Sequence, residues 1–214
     1  MPPAEPDLQS EVMSFEDAIH ARRSVRAFED KAVPDDALDR AVSLAVQAPA
    51  PHHSQPWRFV IVTDEEVKAR FSRAMGAAWR EDLSGDGLAP EKIEGILSRS
   101  HGLLTSTPTL VVCCADMTRA HDYPDERRRR AEWSLFAHTV GAALQTFMTS
   151  LATEGIASCW ISAPVFCGGV VRDFFDLPDR VEPHALILVG YPSPDYKARP
   201  RTAPKTSEYI IRGC

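Results

Sequence analysis

Three polar clusters in this sequence could do chemistry. The first is Arg22-Arg23-Ser24-Val25-Arg26, three cations and a hydroxyl within five residues. Guanidinium is a planar fork of five donors that matches phosphate oxygens and carbonyl edges, so the segment suits an organic anion. The alternative is a solvated helix end, where arginines favour the negative pole of the helix dipole. The second cluster is His52-His53-Ser54-Gln55, set between Pro51 and Pro56. A proline-stiffened polar loop ahead of a strand is a common place for binding groups. Zinc would need further ligands, and His101, His121, His138 and His184 show no ligand-like spacing to this loop, so no metal site is expected. The third is Arg127–Arg130, which reads either as a solvated face or as a basic site for an anionic substrate.

Other chemistries are poorly represented. There is no G-x-S-x-G elbow, no phosphate loop and no G-x-G-x-x-G fingerprint. Lack of the last argues against a dedicated dinucleotide domain but leaves transient use of NAD(P)H open. The net charge of −6 gives no general attraction for nucleic acid, so no nucleic-acid partner is expected. Five cysteines form no C-x-x-C pair. All but the terminal Cys214 read as small core residues in a reducing compartment, and no targeting or membrane-length segment is visible, so the expected location is cytoplasmic.

The elements that must carry these clusters follow from periodicity and breakers. Residues 1–13, rich in proline and acid, read as an arm before the fold. Ser14 caps a short helix toward Ala21, with Asp17 closing a capping box. Pro34 opens a helix that stops at Ala48-Pro49-Ala50-Pro51. Arg58–Val62 reads as strand and Glu65 to about Trp79 as helix. Residues 80–106, broken by Gly85, Gly87 and Pro90, read as an excursion holding a short helix. Thr109–Cys114 is a strand covered on both faces, with Cys113 and Cys114 on opposite sides. Trp133 to about Thr153 is a long helix apolar nearly all round, suited to a core or a subunit contact. Ala157–Ile161 and Ala185–Gly190 are strands, a helix surrounds Val170–Phe175, and the proline-rich tail from Pro192 is extended. Together these give an α+β arrangement in which helices surround one sheet.

Four segments, in this order, resemble the FMN-dependent nitroreductase superfamily: Ala21–Phe28, Ala48–Phe59, Gly155–Ile161 and Arg199-Pro200-Arg201. Within it, Ala48–His52, Trp79–Leu83, His121–Asp125 and Cys159–Ile161 resemble the C-terminal flavin domain of the bifunctional coenzyme F-420 gamma-glutamyl ligase. The ligase half has no counterpart here. The resemblance implies a nitroreductase-like fold with a central, mostly antiparallel sheet, and a homodimer packed through the long helix. It implies FMN held by Arg22, Arg23, Ser24, Val25 and Arg26, with Ala50, His52 and Ser54 beside the flavin. Trp160 and Ile161 would line the flavin's other side, and Arg201 would reach its phosphate. Asp82, His121 and Tyr123 would meet the substrate. The implied activity is hydride transfer through flavin N5, most specifically to the dehydro precursor of coenzyme F-420, a deazaflavin. The alternatives are a general NAD(P)H-dependent nitro- or quinone-reductase, and a non-catalytic FMN- or deazaflavin-binding module beside a separate ligase. His53 stands where many relatives have asparagine, and Ala157 and Ser162 where glycine is common. These departures bear on substrate choice.

Overall fold

A computed structural model describes residues 13–213. Most of the expected N-terminal arm, and Cys214, lie outside the described residues. The elements in chain order are α1 (Phe15–Ala21), α2 (Asp35–Ala45), β1 (Trp57–Val62), α3 (Glu65–Gly85), α4 (Pro90–Ser106) and β2 (Thr109–Asp116). Then come α5 (Glu126–Thr153), β3 (Ala157–Ile161), α6 (Ala163–Phe166), α7 (Gly168–Phe175) and β4 (Val181–Gly190). The four strands form one antiparallel sheet in the order β1-β2-β4-β3. The fold is thus α+β and nitroreductase-like, as the sequence implied.

The sheet is the middle of three layers. On one face Val111, Cys113, Ala115, Ile187 and Val189 pack against α2 and α5. On the other, Leu110, Val112, Cys114, Leu186 and Leu188 meet Phe71 and Met75 of α3, Leu104 of α4 and Val171 of α7. Successive residues of β2 therefore serve different cores, which is why the whole run is apolar and why its two cysteines face apart. Burial pushes the Cys114 thiol up to about 12, and raises Cys113 as well, so neither is a nucleophile.

Local rules account for most boundaries. The Ser14 hydroxyl accepts from Asp17 N–H at 3.1 Å, the expected N-cap, and donates to the Asp17 carboxylate at 2.6 Å, so that carboxylate binds the hydroxyl and not the backbone N–H that a full capping box would use. Asp64 caps α3 and Asp125 caps α5 through the N–H groups of Val67 and Arg128.

Three expectations change. First, residues 80–106 are not an irregular excursion holding a short helix. α3 runs on to Gly85, and α4 fills 90–106 with Pro90 in its first turn. Only Gly87 at φ +77° and its neighbours make the turn, because glycine tolerates the left-handed region. Second, α5 starts at Glu126, so Arg127–Arg130 lie inside its first turns. Third, β4 begins at Val181, ahead of Pro183. The β2–β4 register slips between Cys113 and Cys114, which pair with Ala185 and Pro183 and leave His184 outside the ladder. A bulge tolerates the missing proline N–H, and it hid the first part of the strand from a simple propensity reading.

His184 has a consequence for pH. Its ring stacks on Trp133 with centroids 5.2 Å apart, and its Nε2 is buried without a hydrogen-bond partner. Burial holds its pKa below the usual histidine value, against the raising influence of Glu182. A base whose folded pKa lies below its unfolded value takes up protons more readily when unfolded. Its contribution to stability is thus present above about pH 6.5 and is lost as pH falls through the folded pKa. Urea unfolding at pH 7.5 and pH 5.5 should show wild type losing stability on acidification, and His184→Phe losing less. Equal losses in both proteins would refute the assignment.

Gly190 ends β4 where the chain packs most tightly. A Cβ there would lie 2.9 Å from Phe28 Cδ1 and 2.9 Å from Pro108 Cδ. Both are ring atoms with little freedom to yield. Gly190→Ala should therefore cost about 1–3 kcal/mol, seen as a lower melting temperature. An unchanged melting temperature would show that the rings give way freely.

Among the described residues no helix is long and apolar enough to cross a membrane.

Candidate functional site

The arginine segment lies outside the edge strand β3. Val25 N–H donates to Ser158 O at 3.0 Å, and Ser24 forms an isolated parallel bridge with Ser158. The Val25 side chain enters the core at 2% exposure and its N–H is engaged by Ser158, so only its carbonyl is left for a ligand, and the flanking Ser24 and Arg26 side chains are exposed. The tail returns to this edge. Ser193 N–H donates to Ala27 O, Arg23 Nη1 donates to Arg199 O at 3.3 Å, and Arg201 donates to Ile19 O at 3.3 Å and to Arg22 O.

The result is a crowd of like charges. Desolvation, then the charges of Arg23 and Arg22, push Arg201 below the ordinary arginine value. Arg26 and Arg22 also act on the Cys159 thiol, although burial dominates and raises it. Among the described residues no carboxylate forms an ion pair with Arg22, Arg23, Arg26 or Arg201. Next to them the Ser158 hydroxyl is buried with no hydrogen-bond partner among the described residues. An orphaned buried hydroxyl and several unmatched guanidiniums are what an absent polyanionic ligand with hydroxyls would complete. Trp160 and Ile161 are half-buried on β3.

The histidine loop sits at the opposite edge, ahead of β1. It is strained: His52, His53 and Gln55 have φ of 54°, 50° and 48°. Left-handed non-glycine residues cost roughly 1–3 kcal/mol each and persist only where surroundings dictate them. Here the surroundings are identifiable. Arg119 Nη1 donates to His53 O at 3.0 Å, and His52 Nε2 donates to Glu132 Oε1 at 2.9 Å. The same oxygen accepts from the backbone N–H of His121 at 2.9 Å. The His52 and His121 rings stack 3.9 Å apart, and Tyr123 meets His121 edge-on at 6.2 Å. Ser54 is buried with its hydroxyl unpartnered, and Ala50 packs at the rim of the α2–α5 core.

Residues expected at one site therefore fall into groups. Arg22, Arg23, Ser24, Arg26, Trp160, Ile161 and Arg201 share the β3 edge. Ala50, His52, Ser54, His121 and Tyr123 share the end of the molecule where β1 begins. β1 and β3 are the outer strands, roughly 14 Å apart across three strand spacings. Asp82 joins neither: it is exposed on α3, on the other sheet face from α5, and its charge acts on Cys167.

Glu132 is the residue that sequence reasoning missed. It follows the arginine run and reads as part of a charged surface, yet it is 5% exposed. The available signal was its helical spacing to Phe136, Thr139 and Val140, which places it on the buried stripe. His121, which shows no ligand-like spacing to His52 along the sequence, lies beside it in the fold. Tertiary structure brings ligand atoms of His52, His121 and Glu132 within 4.8 Å of one another, across 80 residues of sequence. Beside them runs a cleft lined by Arg129, Arg130, Trp133, Arg180 and Glu182. Asp125 and Glu126 pair with Arg128 and Arg129 at 2.5 and 3.0 Å, whereas Arg127 and Arg130 form no ion pair among the described residues. Cations on the first turns of a helix oppose its dipole, so the run is not placed there for helix stability.

Comparison with known proteins agrees with this architecture. The model of the nitroreductase family matches residues 19–191. This chain belongs to the nitroreductase family. It is accordingly an oxidoreductase-type enzyme. It is 27% identical over 201 residues to an iodotyrosine deiodinase of Haliscomenobacter hydrossis, covering 85% of this chain and 83% of that one. Of the mammalian iodotyrosine deiodinases it also matches, it spans 65–69% of the length. Among solved structures, a BluB-like flavoprotein from Clostridium difficile superposes with TM-score 0.75 at 21% identity, covering 94% of this chain and 100% of that one. Oxidized iodotyrosine deiodinase bound to FMN and 3-iodo-L-tyrosine superposes with TM-score 0.67 at 21% identity, covering 92% and 97%.

Proposed function

We propose that this member of the nitroreductase family is an FMN-dependent oxidoreductase working as a homodimer, with an anionic, planar small molecule as substrate. The observation that carries the proposal is the set of unmatched guanidiniums of Arg22, Arg23, Arg26 and Arg201 around the orphaned Ser158 hydroxyl. FMN fits that set: its phosphate is a dianion, its ribityl chain carries hydroxyls, and its pyrimidine edge offers carbonyls. When bound, it supplies hydride transfer at N5. The chain's own part is to bind and tune. Arg201 and Arg23 would take the phosphate, and Ser24 with the Val25 backbone would stand along the ribityl chain. Arg22 and Arg26 would place positive charge at the pyrimidine edge, which favours an anionic reduced ring. Trp160 and Ile161 would shield one side.

The spacing of the two groups supports the homodimer. The loop carrying Ala50, His52 and Ser54 lies too far from Arg22–Arg26 of its own chain to cover the same ring. A second copy would bring its loop, with His121 and Tyr123, over the flavin. Arg130 in the adjoining cleft, which has no ion-pair partner among the described residues, favours a substrate bearing phosphate or carboxylate, and Trp133 offers an indole for a planar ring. Of the readings the sequence suggests, these features favour the dehydro precursor of coenzyme F-420, a phosphorylated deazaflavin.

The absorbance spectrum of the purified protein tests the cofactor: a flavin spectrum, retained on gel filtration in a dimer-sized peak, is expected. Colourless protein that also refuses added FMN overturns the proposal. With FMN loaded and a reductant present, loss of the dehydro precursor supports the substrate. Turnover restricted to nitroaromatics or quinones with NAD(P)H, or to iodotyrosine, would replace it with the corresponding activity and leave the flavin assignment standing.

A further inference from the structure

We propose that His52, His121 and Glu132 form a binding site for a divalent transition-metal ion such as Zn2+. Their ligand atoms already lie within 4.8 Å of one another. Two imidazoles and one carboxylate are a ligand set that takes zinc, with bond lengths of about 2.0–2.2 Å. The carboxylate is anchored before any ion arrives. Glu132 is buried on α5, and the His121 backbone N–H holds its Oε1 at 2.9 Å, the kind of outer hydrogen bond that orients a ligating group. The two histidine side chains are exposed, so an ion can enter from solvent. Three protein ligands leave a fourth position open, the pattern of a site that also ligates water or a substrate oxygen.

The local charge permits a cation. In the adjoining cleft Arg129, Arg130 and Arg180 face four carboxylates: Glu132 itself, Asp122, Glu126 and Glu182. Arg129 pairs with Glu126 at 3.0 Å and Arg180 approaches Asp122 at 3.6 Å, which leaves Glu132 to the histidines.

Two rearrangements accompany binding. His52 Nε2 now donates to Glu132, so on binding its proton must move to Nδ1, which leaves the Nε2 lone pair for the ion. The His52 and His121 rings are stacked with their planes 23° apart, and parallel rings cannot both aim an in-plane lone pair at one ion. His121 must swing out of the stack. It stands on the exposed loop before α5, and His52 is held by the strained turn, so His121 is the mobile partner.

The test uses full-length, tag-free protein stripped with a chelator, titrated with zinc chloride against a chromophoric indicator, both with and without FMN. One equivalent per chain is expected. Cobalt chloride should give visible absorption bands of a low-symmetry, four- or five-coordinate site. Glu132→Gln and His121→Ala should each weaken zinc binding at least tenfold, and His138→Ala, an exposed histidine elsewhere on α5, should not. Far-UV circular dichroism checks folding. If Glu132→Gln fails to fold, His121→Asn, which keeps the backbone N–H on Glu132, carries the test alone. Zinc binding no tighter in wild type than in the His121 variants, or no binding, overturns the proposal. Neither result bears on the flavin assignment, because the titration is read on zinc and not on turnover.

Discussion

Replacing Arg22 and Arg26 together by alanine should weaken FMN binding by roughly a hundredfold or more. A hydrogen bond to a charged group contributes about 1.5–3 kcal/mol, and 1.4 kcal/mol is tenfold in affinity. Arg26 is exposed, so the lower end of that range applies to it. Two lost contacts then amount to about 3 kcal/mol. The fold should be indifferent, because neither guanidinium has a carboxylate partner to strand. The backbone bond from Val25 to Ser158 remains in the variant. Relief of the positive crowd around Arg201 should even raise stability slightly in the absence of FMN. Flavin fluorescence quenching measures the affinity. Arg99→Ala, an exposed arginine on α4, serves as the control. The salt dependence should become shallower in the double variant, since fewer charges are engaged. Affinity within threefold of wild type would mean that these arginines are a solvated helix end, the alternative the sequence left open.

That alternative shows how far the sequence could be read. By residue type the Arg22–Arg26 segment was legible as a candidate anion site, with a solvated helix end as the alternative. Its lack of carboxylate partners and its neighbour Ser158 were not, since they depend on the docking of the segment against β3 and on the return of the tail, both distant in sequence. The strands β1 and β3, and the paired faces of β2, were legible because period two and continuous burial are local properties. The start of α4 at Pro90 was legible but its length was not: Gly85 and Gly87 read as breaking the whole stretch, whereas Ile93 and Leu104 pack inward along one continuous helix. The first part of β4 was hidden by Pro183, a strand breaker accommodated by a bulge. His52 and His121 were separately visible, but their meeting with each other and with Glu132 was not. Ligand spacing can be read along a chain only when one element carries the ligands, and these come from a loop, a second loop and a helix. Asp82 shows the reverse. It was grouped with His121 and Tyr123, yet α3 and α5 cover different faces of the sheet, and strand order decides which helix goes where.

Phe147→Ala should be the most destabilising single truncation in the α5 face of the core, at about 3–5 kcal/mol. Phe147 is fully buried and stacks on Phe59 of β1 with centroids 5.8 Å apart, so it joins the long helix to the edge strand that follows the histidine loop. Its neighbours along the helix, Leu144 and Leu151, are equally buried and fixed by their own packing. The hole cannot collapse without moving α5, and the transfer cost is therefore joined by a cavity cost. In a domain of this size each kcal/mol shifts the melting temperature by about 2–4 °C, so a drop on the order of 10 °C is expected. Phe147→Leu, which refills much of the volume, should recover more than half of it. Fifteen residues separate Phe147 from Glu132, about 22 Å of helix. While the variant remains folded, well below its midpoint, its affinities for FMN and zinc should match wild type. Affinity lost in step with stability at low temperature would mean that the aromatic contact also sets the position of the loop. Phe59 would then be the route, because β1 is continuous with the turn that holds His52.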